Sequence, residues 1–391
     1  MSNPETIAPA RGTRPRNRRA LIVAAARELF LADGYALVSM SDVARAVNVS
    51  ASALYRHFPS KAALLTTVVV DEMQPLREVC SAEPRDIDTL AGQLAAACSE
   101  RRQLGALWLR ETRGLSGESY RELRGEVRST VDGLSRAIGG LRPELEPEDV
   151  HFVATCTYAA HCALSHQIGM LAREDREPEA RAILTAILSA PLPPASTETA
   201  RPVARGLEPA GRRERILTKA VELFADSGYD AVAIEDIGRQ AGIAAPTVYH
   251  HFPSKQDILL AALKRGDEWL RRDLHQALRG SADARQALER LVNSYIDFAV
   301  DHPDHIEIGV SEARHLEPPY RDQIKQTQRD YIQEWVALML HSGSAVAGGH
   351  AAARTHAITA VVNETARTSE GPIPAHRIAA LRLIATTLAG L

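Results

Sequence analysis

Little in this 391-residue chain is aromatic: only 5 % of its residues are Phe, Trp or Tyr. Cysteine is scarcer, and Cys80, Cys98, Cys156 and Cys162 all fall in the first half, none in CxxC spacing. That excludes a disulfide scaffold and the common zinc spacings, and points to thiols in a reducing cytoplasm. No run of 18 apolar residues exists, and the N-terminal MSNPETIAPARGTRPRNRR has no apolar core of signal-peptide length. Neither a membrane span nor a membrane partner is expected. Catalytic patterns are missing too: there is no GxSxG, no HExxH and no strand-linked GxGxxG. Gly343–His350, GSAVAGGH, imitates a phosphate loop without its Lys and Ser/Thr. HPDH at His302–His305 carries two imidazoles, but Pro303 reads as the start of a helix. No enzyme activity, cofactor or metal is expected. Net charge is −3, so a nucleic-acid surface, if present, must be local.

What is abundant is Ala, Leu, Arg and Glu, a mix that favours helices. The length suggests two to four domains. YRHFPSK at Tyr55–Lys61 returns as YHHFPSK at Tyr249–Lys255, 194 residues later. Arg18–Leu65 aligned on Arg212–Leu259 gives 20 identities in 48 positions, so the chain contains an internal repeat. In each copy an apolar helical face, Ile22/Ala26/Phe30 or Ile216/Ala220/Phe224, ends at Gly34 or Gly228. A second short helix comes next, carrying the small residue Ala44 or Gly238. Then comes a tight turn at Asn48 or Gly242, residues that readily take left-handed backbone geometry. A third helix ends before Pro59 or Pro253, and Ser60 or Ser254 caps a fourth. This is the pattern of a helix-turn-helix.

A recognition helix sets its first residues on base edges while its flanks hold phosphates. In the first copy Ser50, Ser52 and Arg56 are the base-reading candidates, and Tyr55, His57 and Lys61 the phosphate-gripping ones. In the second, Thr247 and His250 face bases, with Tyr249, His251 and Lys255 on phosphates. No acid interrupts Ser50–Lys61 or Ala244–Lys255. Phe58 and Phe252 read as core.

Both copies resemble the DNA-binding domain of the TetR family of transcriptional regulators, and two in one chain resembles the tandem regulators of actinobacteria. The resemblance implies an all-α chain of two TetR-like units, each with a helical ligand-binding and dimerisation region behind its head. The expected divisions are a basic arm (1–16), a first head (17–62) and first helical domain (63–190), a linker (191–211), a second head (212–256) and second helical domain (257–391). Trp108, Tyr120, Phe152 and Tyr158 are the first half's pocket candidates; Tyr295, Phe298, His302 and Trp335 are the second's. The last two helices of each half can pair within the chain as an internal pseudo-dimer, or two tandem chains can pair. The expected function is a ligand-responsive repressor that holds a double-stranded operator with two non-identical heads and is released by a small apolar effector, lipid-like or an acyl thioester. The competing reading is a helical interaction module whose second head has lost DNA binding. The first head, +5 over residues 1–70, should grip DNA more strongly than the second, +1 over 205–265.

Overall fold

A computed structural model describes residues 18–35, 37–100, 107, 117–194, 209–345, 347–369 and 371–391. Among them every regular element is helical. The first half contains α1 (Arg18–Asp33), α2 (Met40–Ala46), α3 (Ala51–His57), α4 (Lys61–Glu72), α5 (Gln74–Ser81), α6 (Ile87–Glu100), α7 (Gly117–Leu141), α8 (Pro147–Gln167) and α9 (Arg176–Leu188). The second contains α10 (Arg212–Ser227), α11 (Ile234–Gln240), α12 (Ala245–His251), α13 (Lys255–Arg279), α14 (Ala284–Asp301), α15 (Pro303–Ser311), α16 (Pro318–His341), α17 (Gly348–Thr368) and α18 (Ala375–Ala389).

The heads form from local signals that repeat. Gly34 and Gly228 lie at φ +85 and +79 and turn the chain out of α1 and α10. Asn48 at φ +53 and Gly242 at φ +64 make the tight turns. A β-carbon on Gly238 would sit 2.7 Å from the Ile243 carbonyl oxygen, so α11 and α12 approach as closely as backbone allows. At the equivalent place the first head buries Ala44. Ser60 and Ser254 cap α4 and α13 through the amides of Ala63 and Asp257. The apolar faces converge on Phe30, Leu54 and Phe58 in one head and Phe224, Val248 and Phe252 in the other, all buried.

An ion pair joins the first and fourth helices of each head. Arg27 reaches Glu72 at 3.1 Å, and Arg265 reaches Glu214 at 2.7 Å. Ile308, Leu316 and Ile324 of the second helical region join the second head's core. Behind the heads, α8 lies against α17 in the most extensive helix pairing among the described residues, with α9 and α18 packed beside them. Small residues stand at this junction: Ala159 and Ala163 of α8 and Ala360 of α17 line it.

Candidate nucleic-acid interface and internal cavity

On α3, Ser50 is committed as the helix cap, its Oγ accepting from the Ala53 amide at 3.2 Å and lying 3.1 Å from Ser52 Oγ. Ser52, Tyr55, Arg56 and His57 are exposed side by side. Tyr55 is 52 % exposed and Tyr249 47 %, values that separate both rings from the core aromatics beside them. On α12, Tyr249 and His250 are exposed while Thr247 and His251 are half-buried. The His250 and His251 rings meet edge-on, 5.7 Å apart. Leu54 and Phe58, or Val248 and Phe252, face inward and fix which side of each helix is outermost.

The lysines sit differently from the phosphate-gripping expectation. Lys61 Nζ donates to the carbonyls of Tyr35 (2.7 Å) and Val38 (3.0 Å) and lies 4.3 Å from the Tyr35 ring. Lys255 repeats this on Tyr229 (2.8 Å), Val232 (2.9 Å) and the Tyr229 ring (4.1 Å). Burial lowers both lysine pKa values. An ammonium spent on two carbonyls and a ring pins the loop before α2 or α11 to the start of the fourth helix; it is a brace within the head.

Sequence reasoning left other basic groups of the heads out of the DNA-binding set. Arg19 stacks over Phe58 at 5.0 Å and Arg213 over Phe252 at 4.6 Å. Arg45 and Arg239 are largely exposed and hold Asp42 and Asp236 at 2.9 and 2.7 Å. The signal was present, since all four arginines recur in the repeat.

The second head is also wired to its helical region. The Tyr229 amide donates to Glu312 at 3.2 Å, and His315 stacks on the Tyr229 ring at 5.0 Å. The same imidazole lies 3.3 Å from Glu312 and 3.4 Å from Asp230. Tyr229 therefore touches both the Lys255 brace and the short helical turn after α15.

A cavity of about 150 Å³ opens between α8 and α17, lined by Tyr158, Cys162, His166, His356, Asn363 and Arg367 among others. Burial, with His166 nearby, pushes His356 down to about 4, so it is neutral there. Of the pocket candidates named from sequence, Tyr158 lines this space. Tyr295 touches it indirectly, donating its hydroxyl to Asn363 at 2.8 Å. Trp335 is fully buried against Tyr295 and Tyr331, and Phe298 and His302 pack on Trp269. Phe152 is buried on α8. Trp108 and the Tyr120 side chain, like the arm 1–16, lie outside the described residues. Cys98 meets His161 Nδ1 at 3.1 Å in the core; burial raises the thiol and pushes His161 down to about 4, leaving a neutral pair.

Comparison with known proteins matches the bacterial regulatory protein, tetR family model twice, at residues 22–68 and 216–262. A tetracyclin repressor-like C-terminal domain model matches residues 281–385. The HTH-type transcriptional activator FasR of Mycolicibacterium smegmatis is 40 % identical over 91 residues, 23 % of this chain and 41 % of that protein. The HTH-type transcriptional repressor KstR2 of the same organism is 29 % identical over 135 residues, 34 % of this chain and 65 % of that protein. This chain thus matches less than two thirds of either relative's own length. Among solved structures, a TetR-family transcriptional regulator from Bordetella parapertussis is similar over 45 % of this chain and 95 % of that one, with 21 % identity and a TM-score of 0.41.

Proposed function

This chain belongs to the tetR family of bacterial regulatory proteins, with two of the family's DNA-binding domains in tandem, and from that premise we propose that it is a ligand-responsive repressor holding one operator with two unlike heads. The observation that carries the proposal is the doubled, acid-free exposed face: Ser52, Tyr55, Arg56 and His57 on α3, Tyr249 and His250 on α12. Tyr55, Tyr249, His57 and His251 have phosphates as their targets, with Arg19, Arg213, Arg45 and Arg239 adding positive charge nearby. Arg56 is suited to a guanine edge through two parallel hydrogen bonds; His250 offers a single ring. The two half-sites therefore differ, and the operator is an imperfect palindrome or a pair of unlike half-sites.

The pairing of α8 with α17 supports the reading that the two halves act as an internal dimer, which sets the head spacing at about one turn of DNA, roughly 34–36 Å. The cavity between α8 and α17 supports an effector site at that junction, and its lining suits a small, mainly apolar molecule with one polar group, such as an acyl chain ending in a carbonyl. A ligand that fits one arrangement of α8 and α17 better than another shifts head spacing by the difference of its two affinities and no more. In the second half the route runs from α17 through the Arg367–Glu307 pair at 2.5 Å into α15, and on through Glu312 and His315 to Tyr229.

The test is binding of the full chain to the DNA upstream of its own gene at several salt concentrations, with and without fatty acids and acyl thioesters. Salt-sensitive binding that an acyl compound weakens is the expected result. Binding that no salt concentration alters, or none at all, refutes the regulator and leaves an interaction module.

A further inference from the structure

The last two helices of each half carry a distinct pattern of charges across their contact. Helices α8 and α17 have the same length, 21 residues, and begin at Pro147 and Gly348, so a shift of 201 carries a position in the first half to its counterpart in the second. The same shift carries Ile183, Leu184 and Ile187 of α9 onto Ile384, Ala385 and Leu388 of α18, all buried. Under this shift Asp149 corresponds to His350, and Asp175 to His376.

Two contacts between the halves are images of one another under that correspondence. Asp149 on α8 meets His376 on α18 at 3.0 Å, and Asp175 beside α9 meets His350 on α17 at 3.6 Å. At both positions the carboxylate belongs to the first half and the imidazole to the second. Two further sets of pairs obey the same rule. Glu179, 6 % exposed, takes Arg354 at 2.6 Å and His350 at 2.9 Å, and Asp149 also takes Arg377 at 2.9 Å. Burial pushes the Asp149 and Glu179 carboxyls up, but the hydrogen bonds from these bases outweigh it and both pKa values are lowered.

Pairing like with like reverses the sign of these contacts. Two first halves joined about the same axis set Asp149 against Asp175 and Glu179. The one base at an equivalent place, Arg176 (the counterpart of Arg377), bonds the carbonyls of Leu171 and Gly169. Two second halves set His350 against His376, with Arg354 and Arg377 alongside; the counterpart of Glu179 is Ala380, so no carboxylate answers them. Like groups brought together without a counter-ion oppose association, and such repulsion is how related interfaces reject wrong partners.

We propose that this segregation of acids and bases is a pairing code: the first half's α8–α9 face accepts the second half's α17–α18 face and rejects a second copy of itself. The proposal rests on the internal-dimer reading and deepens it. It makes the unlike pairing of heads a property of the interface rather than of the linker.

The experiment uses the full chain with Glu179→Arg, Arg354→Glu, and both together, monitored by thermal unfolding. Each single reversal puts like charges across the contact and should lower the midpoint by several degrees. The double variant restores attraction in the opposite sense and should recover more than half of the summed loss. A double variant as unstable as the two singles combined overturns the code. Should a reversal prevent folding, the milder set Asp149→Asn, His376→Gln and their double supplies the same cycle: non-additive losses uphold the code and additive losses overturn it. Light scattering on the unaltered chain separates this from the internal-dimer reading. A one-chain particle with additive cycles refutes the code alone. A two-chain particle with non-additive cycles keeps the code and refutes pairing within the chain.

Discussion

Replacing Lys255 with Met keeps the aliphatic stem of the brace in the second head and removes its charge. The ammonium donates to Tyr229 and Val232 at 2.8 and 2.9 Å and sits 4.1 Å from the Tyr229 ring. Each hydrogen bond from an ammonium contributes about 1.5–3 kcal/mol and the ring contact about 0.5–1 at a partly exposed site. Partial exposure lets water replace some of this, so the head should lose about 2–4 kcal/mol. Amides within α11 to α13 that open with the head should then exchange roughly 30- to 700-fold faster, at a factor of ten per 1.4 kcal/mol. The salt dependence of residual DNA binding should keep its slope, because no phosphate contact is lost. A variant with unchanged exchange rates and a salt slope smaller by about one would refute the brace and restore the phosphate clamp expected from the sequence.

Further outcomes rest on the same geometry. Arg56→Ala should cost about 1–3 kcal/mol at one half-site only and relax its base preference, measured by competition with operators mutated in either half. Gly238→Ala places a β-carbon 2.7 Å from the Ile243 carbonyl, so it should destabilise the second head by about 1–3 kcal/mol, whereas Ala44→Gly in the first head should cost only about 1 kcal/mol of helix propensity; chemical denaturation of both variants reads the difference. His161 is buried and His305 and His356 are half-buried, and desolvation pushes all three pKa values down to about 4 from 6.5. Their neutral forms stabilise the fold fully above about pH 6.5, and that contribution is lost as pH falls towards 4, on the order of 2–3 kcal/mol for each. Denaturant midpoints measured from pH 8 to 4 should fall over this window; a midpoint unchanged down to pH 4 would contradict it.

Much of the heads was legible because their determinants are local. Gly34, Asn48, Gly228 and Gly242 sit at positive φ, Ser60 and Ser254 cap the fourth helix, and Phe58 and Phe252 continue the apolar face, each readable within a few residues. The pocket candidates were not so legible. An aromatic at helical spacing can fill a core or line a cavity, and Trp335 with Tyr295 and Tyr331 does the former. His356 and Arg367 line one cavity with Tyr158 only because α17 lies on α8, two helices about two hundred residues apart.

The sequence by itself determined that the chain is helical and that a helix-turn-helix head occurs twice. These come from periodicity, from backbone conformations only certain residues tolerate, and from repetition. Only the tertiary structure decided that Lys61 and Lys255 brace their heads, because the carbonyls they bind lie 23 and 26 residues earlier in each repeat. It also decided that Asp149, Asp175 and Glu179 find their bases in the other half. A charge on a helix shows its sign in the sequence; its partner is set by which helices the apolar faces bring together.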